Sequence, residues 1–189
     1  MAEMRAAQLK DVLVALVALG SDRASLILAD VPARDLRLID RASAFDWIPI
    51  EVDLDLCRTV QAAAGEEGIR AWGRAAVQRT IESSLFRPLV DTSIRVFGLT
   101  PVTLLRLAPL IWRSTFRGAG QITVKPTAPR TATVQTAGLP VALRERAFLH
   151  SIAGSLEAAF ELAGGAGTVL LVDPPDGEPR FVATWTGRP

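Results

Sequence analysis

The sequence lacks tyrosine altogether and contains one cysteine, Cys57, and one histidine, His150, among its 189 residues. A single cysteine excludes a disulfide within the chain and a zinc site built from several thiolates. A single histidine excludes the imidazole clusters that hold many transition metals. We therefore predict no metal site and no cofactor, and few of the usual catalytic constellations remain possible.

The net charge is also small, and the apolar runs are short. The 21 basic and 20 acidic side chains leave a formal charge of +1, so no strong field attracts nucleic acid or an anionic membrane. The longest early apolar run, Val12 to Leu19, has eight residues, whereas a membrane-spanning helix needs about 20. We expect no nucleic-acid partner, no membrane span and a cytoplasmic protein.

What the chain does contain is typical of one folded domain. Hydrophobic residues make up 49% of it and charged residues 22%, which argues against disorder. Its length suits a single domain with a substantial core. We predict one domain over residues 1–189, with a helical half (1–117) and a half built from a sheet and a long helix (118–189).

Apolar residues at helical spacing, punctuated by glycine and proline, predict helices throughout the first half. The predicted helices cover residues 4–19, 21–28, 32–41, 50–64, 66–83, 88–97 and 100–116. Residues 42–49 form a connector, Gly65 separates two helices, and the last helix is kinked before Pro109. Gly73 lies beside an apolar face, where it would let another helix approach closely.

The periodicity changes after Gly120. Alternating or β-branched residues predict strands at 121–125, 130–136, 168–172 and 180–186, with a Pro-Thr-Ala-Pro turn at 126–129. A long helix is predicted from Pro140 to about Ala163, and Asp176-Gly177 signals a hairpin turn. The fold class is therefore α+β: a helical half followed by β-β-α-β-β, whose antiparallel sheet is covered by the long helix.

Two groups of residues are candidates for binding. Aromatic residues, mostly on helices, either belong to the core or line an apolar pocket between the helices and the sheet; the candidate ligand-binding residues are Trp72, Trp112, Phe116, Phe148 and Phe160. Basic residues on one face of the helix at 100–116 could bind an anion; they are Arg106, Arg113 and Arg117.

The residues most often used in catalysis have structural interpretations here. His150 falls on the flank of its helix with Arg146, Glu157 and Glu161, which favours a partly solvated imidazole near a carboxylate. Cys57 lies among aliphatic residues, as a buried structural cysteine does. Four acidic residues near a predicted helix start, Asp46, Glu51, Asp53 and Asp55, are typical of a first turn favoured by the helix dipole.

Three short stretches resemble a known superfamily. They are Trp47-Ile48-Pro49-Ile50; Leu105 to Arg113, followed by Phe116 and Gly118; and Leu156 to Gly164. Together with the order of elements, they resemble an uncharacterised myxobacterial family of the haem-NO-binding and 4-vinyl-reductase-like superfamily. The likeness extends from about Gln8 to Trp185.

The resemblance implies a sensor or small-molecule-binding module that acts on a signalling partner. The haem-binding branch carries a Tyr-x-Ser-x-Arg motif, which a chain without tyrosine cannot have, and vinyl-reductase-like domains often carry several cysteines. We therefore expect a non-catalytic sensor-like domain that binds a small apolar ligand. The alternatives are a protein-interaction or homodimerisation module without a ligand, and an enzyme centred on His150.

Overall fold

A computed structural model of the chain describes residues 1–82, 98–172 and 177–186, together with 87, 88 and 92. Its helices are α1 (Ala6–Val14), α2 (Ser21–Asp30), α3 (Ala33–Arg41), α4 (Glu51–Glu82), α5 (Pro101–Leu105), α6 (Ala108–Thr115) and α7 (Arg146–Leu162), with 3-10 segments at Ala15–Leu19 and Val141–Arg144. The strands are β1 (Glu3–Arg5), β2 (Trp47–Pro49), β3 (Phe116–Arg117), β4 (Gln121–Ala128), β5 (Thr131–Ala137), β6 (Ala166–Val172) and β7 (Arg180–Thr186). The predicted α+β class is confirmed.

The two helices predicted on either side of Gly65 form the two arms of α4. Gly65 has φ 68° and ψ −170°, a conformation outside the helical region that glycine adopts readily. The break predicted before Pro109 is also present, because α5 ends at Leu105 and α6 begins at Ala108. The helix predicted at 88–97 falls almost entirely outside the described residues.

A small sheet in the first half was not predicted. β1 lies between β2 and β3 and pairs antiparallel with both, so Met4 lies opposite Ile48 and Phe116. The sequence pattern predicts a helix at residue 4, a connector at 47–49 and a helix at 116, and these predictions are wrong. Strands of two or three residues are too short for an alternating pattern to stand out.

The larger sheet is antiparallel, as predicted, with strand order β4-β5-β7-β6. β4 continues through Pro126, which an edge strand tolerates because a proline nitrogen has no hydrogen to donate. The turn consequently falls later than predicted, where Arg130 adopts φ 64°. The predicted strand 121–125 was too short, and Arg130 belongs to the turn. The turn predicted after β6 falls partly on residues 173–176, outside the described residues.

The helix α7 lies across this sheet, as predicted. Phe160 stacks on Trp185 of β7 with ring centroids 5.8 Å apart. Gly167 of β6 makes room for the Phe160 ring, which a Cβ at that position would overlap. The helix begins at Arg146 and not at Pro140, because Val141–Arg144 forms a 3-10 segment. After its last turn, the Gly165 N–H donates to the Phe160 carbonyl oxygen at 2.9 Å.

The helices α4 and α7 meet backbone to backbone. A Cβ at Gly73 would overlap the Ser151 carbonyl oxygen, and a Cβ at Gly154 would overlap the Arg70 carbonyl oxygen. The close approach predicted at Gly73 is therefore confirmed, and Gly154 supplies its counterpart on α7.

One buried carboxylate joins this helix pair to the sheet. Glu157 of α7 is 8% exposed, although the sequence placed it on a polar flank. It accepts hydrogen bonds from Arg70 Nη1 at 2.9 Å, from Arg74 Nη1 at 2.7 Å and from the Val169 backbone nitrogen at 3.1 Å. Glu157 thus connects α4, α7 and β6 through three donors.

No helix among the described residues is long and apolar enough to cross a membrane.

We expect Gly154→Ala to lower the free energy of unfolding by about 1–3 kcal/mol, because the added methyl group forces α7 away from the backbone of α4. Helix propensity alone predicts the opposite sign, a gain of up to about 1 kcal/mol. Urea unfolding followed by circular dichroism measures the difference. A variant as stable as the wild type would contradict the backbone contact.

We expect Glu157→Ala to lower the free energy of unfolding by about 3 kcal/mol, because it removes the buried carboxylate that Arg70 and Arg74 share and leaves the Val169 N–H without its acceptor. The control is Glu161→Ala on the same helix, whose side chain is 48% exposed and pairs with Arg74. Its loss should lower stability by less than about 1 kcal/mol. Equal effects of the two substitutions would show that burial does not strengthen the Glu157 network.

Candidate functional site

A cavity of about 140 Å³, here called the central cavity, lies between the helical half and α7. Its wall is mostly apolar, with contributions from α1, α4, α5, α6 and α7 and from single residues of β1, β3 and β4. Backbone contact between α4 and α7 forms one side, where Gly73, Ser151 and Ser155 lie in the wall. The cavity lies mainly among helices, and Ile122 is the contribution of the larger sheet within the described lining.

Two tryptophans in the wall are fixed by hydrogen bonds. The Trp72 indole N–H of α4 donates to the Val12 carbonyl oxygen at 2.8 Å, which ties α4 to the end of α1. The Trp112 indole N–H of α6 donates to the Gly120 carbonyl oxygen at 3.3 Å. The polar end of each ring is therefore satisfied, and the ring is free to contribute apolar surface to the cavity.

The structure divides the five aromatic residues that the sequence singled out. Trp72, Trp112 and Phe116 are in the wall of the central cavity. Phe148 lies behind it, with its ring centroid 6.3 Å from Trp112 and 5.9 Å from Phe116. Phe160 packs on the opposite side of α7, against the sheet. A role in ligand binding stays a prediction for all five, of which the first three lie in the described wall of the cavity.

Two polar residues in the wall have unsatisfied hydrogen-bonding capacity. Gln8 of α1 is 3% exposed, and its Oε1 is buried without a hydrogen-bond partner in the described structure. Asp53 of α4 is 4% exposed. Burial raises the pKa of the Asp53 carboxyl from 3.8 to about 7, and no described residue supplies a hydrogen bond or a positive charge that would lower it. Such groups are rare inside proteins unless something else satisfies them.

The sequence predicts Asp53 as part of an acidic first turn favoured by the helix dipole, and Gln8 is not among the predicted site residues. A signal for both was present in the spacing. Asp53 precedes Cys57 by four residues on α4, and Gln8 precedes Val12 by four residues on α1. Each polar residue therefore continues a buried apolar stripe.

Cys57 is buried, as predicted, and lies one turn beyond Asp53. Burial raises the pKa of its thiol well above the usual value, and the negative charge of Asp53 adds to the effect. Its Sγ lies 3.8 Å from the Ser151 hydroxyl, which itself donates to the Phe148 carbonyl oxygen. A protonated thiol in this setting is a poor nucleophile.

His150 lies outside the described cavity wall. It is 4% exposed, so the prediction of a partly solvated imidazole is wrong. The predicted neighbouring carboxylate is present: it belongs to Glu66 of α4, whose Oε1 lies 3.1 Å from His150 Nδ1. The contact does not have hydrogen-bond geometry. Burial lowers the pKa of His150, against the opposing effect of Glu66, so the imidazole is neutral near pH 7.

The three arginines proposed for anion binding are all exposed and lie on different elements. Arg106 lies in the turn between α5 and α6, Arg113 on α6 and Arg117 on β3. The helix expected to carry them on one face is interrupted at Arg106. Arg117 already pairs with Glu3 and lies over the Trp47 ring, with its guanidinium carbon 5.0 Å from the ring centroid. Anion binding at these residues stays a prediction.

Across the part of the chain that the structure describes, no three histidine, cysteine, aspartate or glutamate side chains are grouped as a metal site would require. The central cavity is therefore the feature that we take forward as the candidate site.

No family model matches this sequence, and no curated protein matches it. Solved structures do match its fold. An Fe(II) unliganded H-NOX protein from K. algicida has a TM-score of 0.65 at 12% identity, covering 98% of both chains. An oxygen-binding H-NOX domain related to soluble guanylate cyclases, solved as its oxygen complex, has a TM-score of 0.62 at 15% identity, covering 97% of this chain and 96% of its own.

A third structure, from work on haem distortion in the H-NOX family, has a TM-score of 0.63 at 14% identity, with 98% of this chain and 96% of that chain covered. The helical half and the sheet half match together, because coverage is nearly complete in each comparison. At such low identity the likeness establishes the fold alone. The chain has the H-NOX fold, which confirms the fold that the resemblance to the haem-NO-binding superfamily implies.

Proposed function

We propose that this chain is a non-catalytic, sensor-like domain that binds a small, largely apolar molecule in the central cavity. The observation that carries the proposal is an apolar cavity whose wall contains two buried polar side chains, Gln8 and Asp53, without described hydrogen-bond partners. Binding sites combine such apolar walls with a few polar groups that orient the ligand. The H-NOX fold supports the proposal, since one matched domain binds oxygen.

The volume of the cavity limits the ligand to a small molecule. A cavity of about 150 Å³ in another protein takes up benzene or xenon, and the central cavity measures about 140 Å³. Sites for drug-sized molecules are larger, at about 300–1,000 Å³. A single ring or a short branched chain is therefore the expected size.

Haem, with which one of the matched structures is concerned, does not fit this cavity. The described wall includes no histidine, cysteine or tyrosine to coordinate iron, and its methionine, Met4, is buried in β1. It also includes no arginine or lysine to pair with the two carboxylates of haem, while its charged member, Asp53, would repel them. The volume of the cavity is too small as well.

The burial of the Asp53 carboxyl in an apolar wall gives further support. A carboxylate without a partner in an apolar wall destabilises the folded protein, and residues that lower stability without a structural benefit are found at functional sites. We interpret Asp53 as such a residue.

A protein-interaction module is the second candidate. Large apolar side chains are exposed in the N-terminal helical region, with Val17 64% and Leu26 67% exposed. These side chains could contact a signalling partner or a second copy of the chain, and native mass spectrometry of the purified protein would reveal either. An enzyme centred on His150 has less support, because a neutral, buried imidazole outside the cavity wall does not face the candidate ligand.

We expect toluene to bind saturably and to raise the melting temperature, because a ligand that binds only the folded state stabilises it by mass action. Ala76→Leu places a larger side chain in the cavity wall and should abolish the shift, whereas Ala63→Leu, at an exposed position of the same helix, should retain it. Differential scanning fluorimetry and ligand-observed NMR measure both effects. Absence of saturable binding to the wild type would refute the proposed cavity ligand.

We expect Asp53→Asn to stabilise the protein at pH 8 and to lose that advantage by pH 4. The pKa of the Asp53 carboxyl is about 7 in the folded protein and 3.8 in the unfolded chain. Between pH 3.8 and pH 7, unfolding therefore releases a proton, and the carboxyl lowers the stability of the fold as the pH rises through this window. The full difference in pKa corresponds to about 4 kcal/mol of unfolding free energy. The net gain of Asp53→Asn should be smaller, because burying the asparagine amide also costs free energy. Urea unfolding at the two pH values measures it. A variant less stable than the wild type at pH 8 would mean that the carboxylate has a stabilising partner.

A further inference from the structure

The side chains of Gln8 and Asp53, which have no described hydrogen-bond partners, indicate which class of ligand the central cavity binds. This inference rests on the proposed function. Gln8 Oε1 is a buried hydrogen-bond acceptor without a described partner. The Asp53 carboxylate, when ionised, is also an acceptor, and no described residue supplies it with a hydrogen bond or a positive charge. Both residues are more than nine-tenths buried and belong to the wall of one cavity. A ligand that satisfies them must therefore bring hydrogen-bond donors.

The charge of the wall indicates which donor. Among the described wall residues Asp53 is the charged one, and no lysine, arginine or histidine accompanies it. Asp55, a carboxylate two residues further along the same helix, lies outside the wall and pairs with Arg58 at 2.6 Å, so the described protein supplies a cation to Asp55 and none to Asp53. A hydroxyl could donate a hydrogen bond to Asp53, but of the two groups only a cation also balances the negative charge that the carboxylate carries above its pKa.

From this arrangement we infer that the central cavity is a site for a small apolar amine, whose ammonium group binds Asp53 and Gln8 and whose hydrocarbon part lies against Trp72 and Trp112. The apolar surface favours a ring or a branched chain. An ammonium group has three donors, enough for both acceptors. Because the fold itself holds the carboxylate in an apolar setting, the ligand has only its own charge to desolvate.

The test compares three ligands of nearly equal shape: benzylamine, benzyl alcohol and toluene, each titrated at pH 8 by calorimetry or ligand-observed NMR. We expect benzylamine to bind at least tenfold more tightly than either neutral compound. In Asp53→Asn the ratio of benzylamine to toluene affinity should fall at least tenfold. Asp55→Asn, which removes a neighbouring carboxylate outside the wall, should leave that ratio within twofold of the wild-type value.

The outcomes separate this inference from the proposed function. Toluene binding as tight as benzylamine, or benzyl alcohol binding as tight as benzylamine, would overturn the amine assignment and leave the apolar site intact. Saturable binding of none of the three would overturn both. An Asp53→Asn variant that keeps the wild-type preference for benzylamine would show that the ammonium group lies elsewhere, and would also overturn the inference.

Discussion

Where α4 crosses α7, the missing side chains of Gly73 and Gly154 let the two backbones touch, and the rest of the structure depends on this contact. It fixes the helical half against the helix that covers the sheet. It also brings Arg70 and Arg74 of α4 within reach of Glu157 on α7, so the ionic network forms only because the helices are this close. Through the Val169 N–H, the same carboxylate holds β6 in place.

The central cavity is a consequence of the same contact. Gly73, Ser151 and Ser155 pack tightly on one side, whereas α1, α5 and α6 approach the pair with larger side chains that cannot fill the remaining space. Trp72 and Trp112 are fixed by hydrogen bonds to backbone carbonyl groups and cannot easily turn inward to close it. The rigid elements around the cavity would hold a bound molecule in a defined position, as a preformed site does.

Helices with clear apolar periodicity and strands bounded by turn residues could be predicted from sequence, and so could the breaks at Gly65 and before Pro109. The three-stranded sheet could not, because its strands pair residues about 45 and 110 positions apart and are too short to show a pattern of their own. The residues of the candidate site were harder to predict than the fold. Trp72, Trp112 and Phe116 look the same in sequence as Phe148 and Phe160, and only the packing of α7 decides which of them reach the cavity.

Asp53 shows that a polar residue on the buried stripe of a helix can indicate a functional site, which amino-acid composition alone does not. Four acidic residues lie near the start of α4, but only Glu51 and Asp53 are in its first turn, where the helix dipole favours an acidic side chain. Periodicity separates them: Asp53 continues the stripe of Cys57 and Val60, whereas Asp55 points toward Arg58. A charge on the buried face of a helix lowers the stability of the fold, so its presence there calls for a compensating interaction. Within the described residues that compensation is missing, and a cationic ligand in the central cavity would supply it.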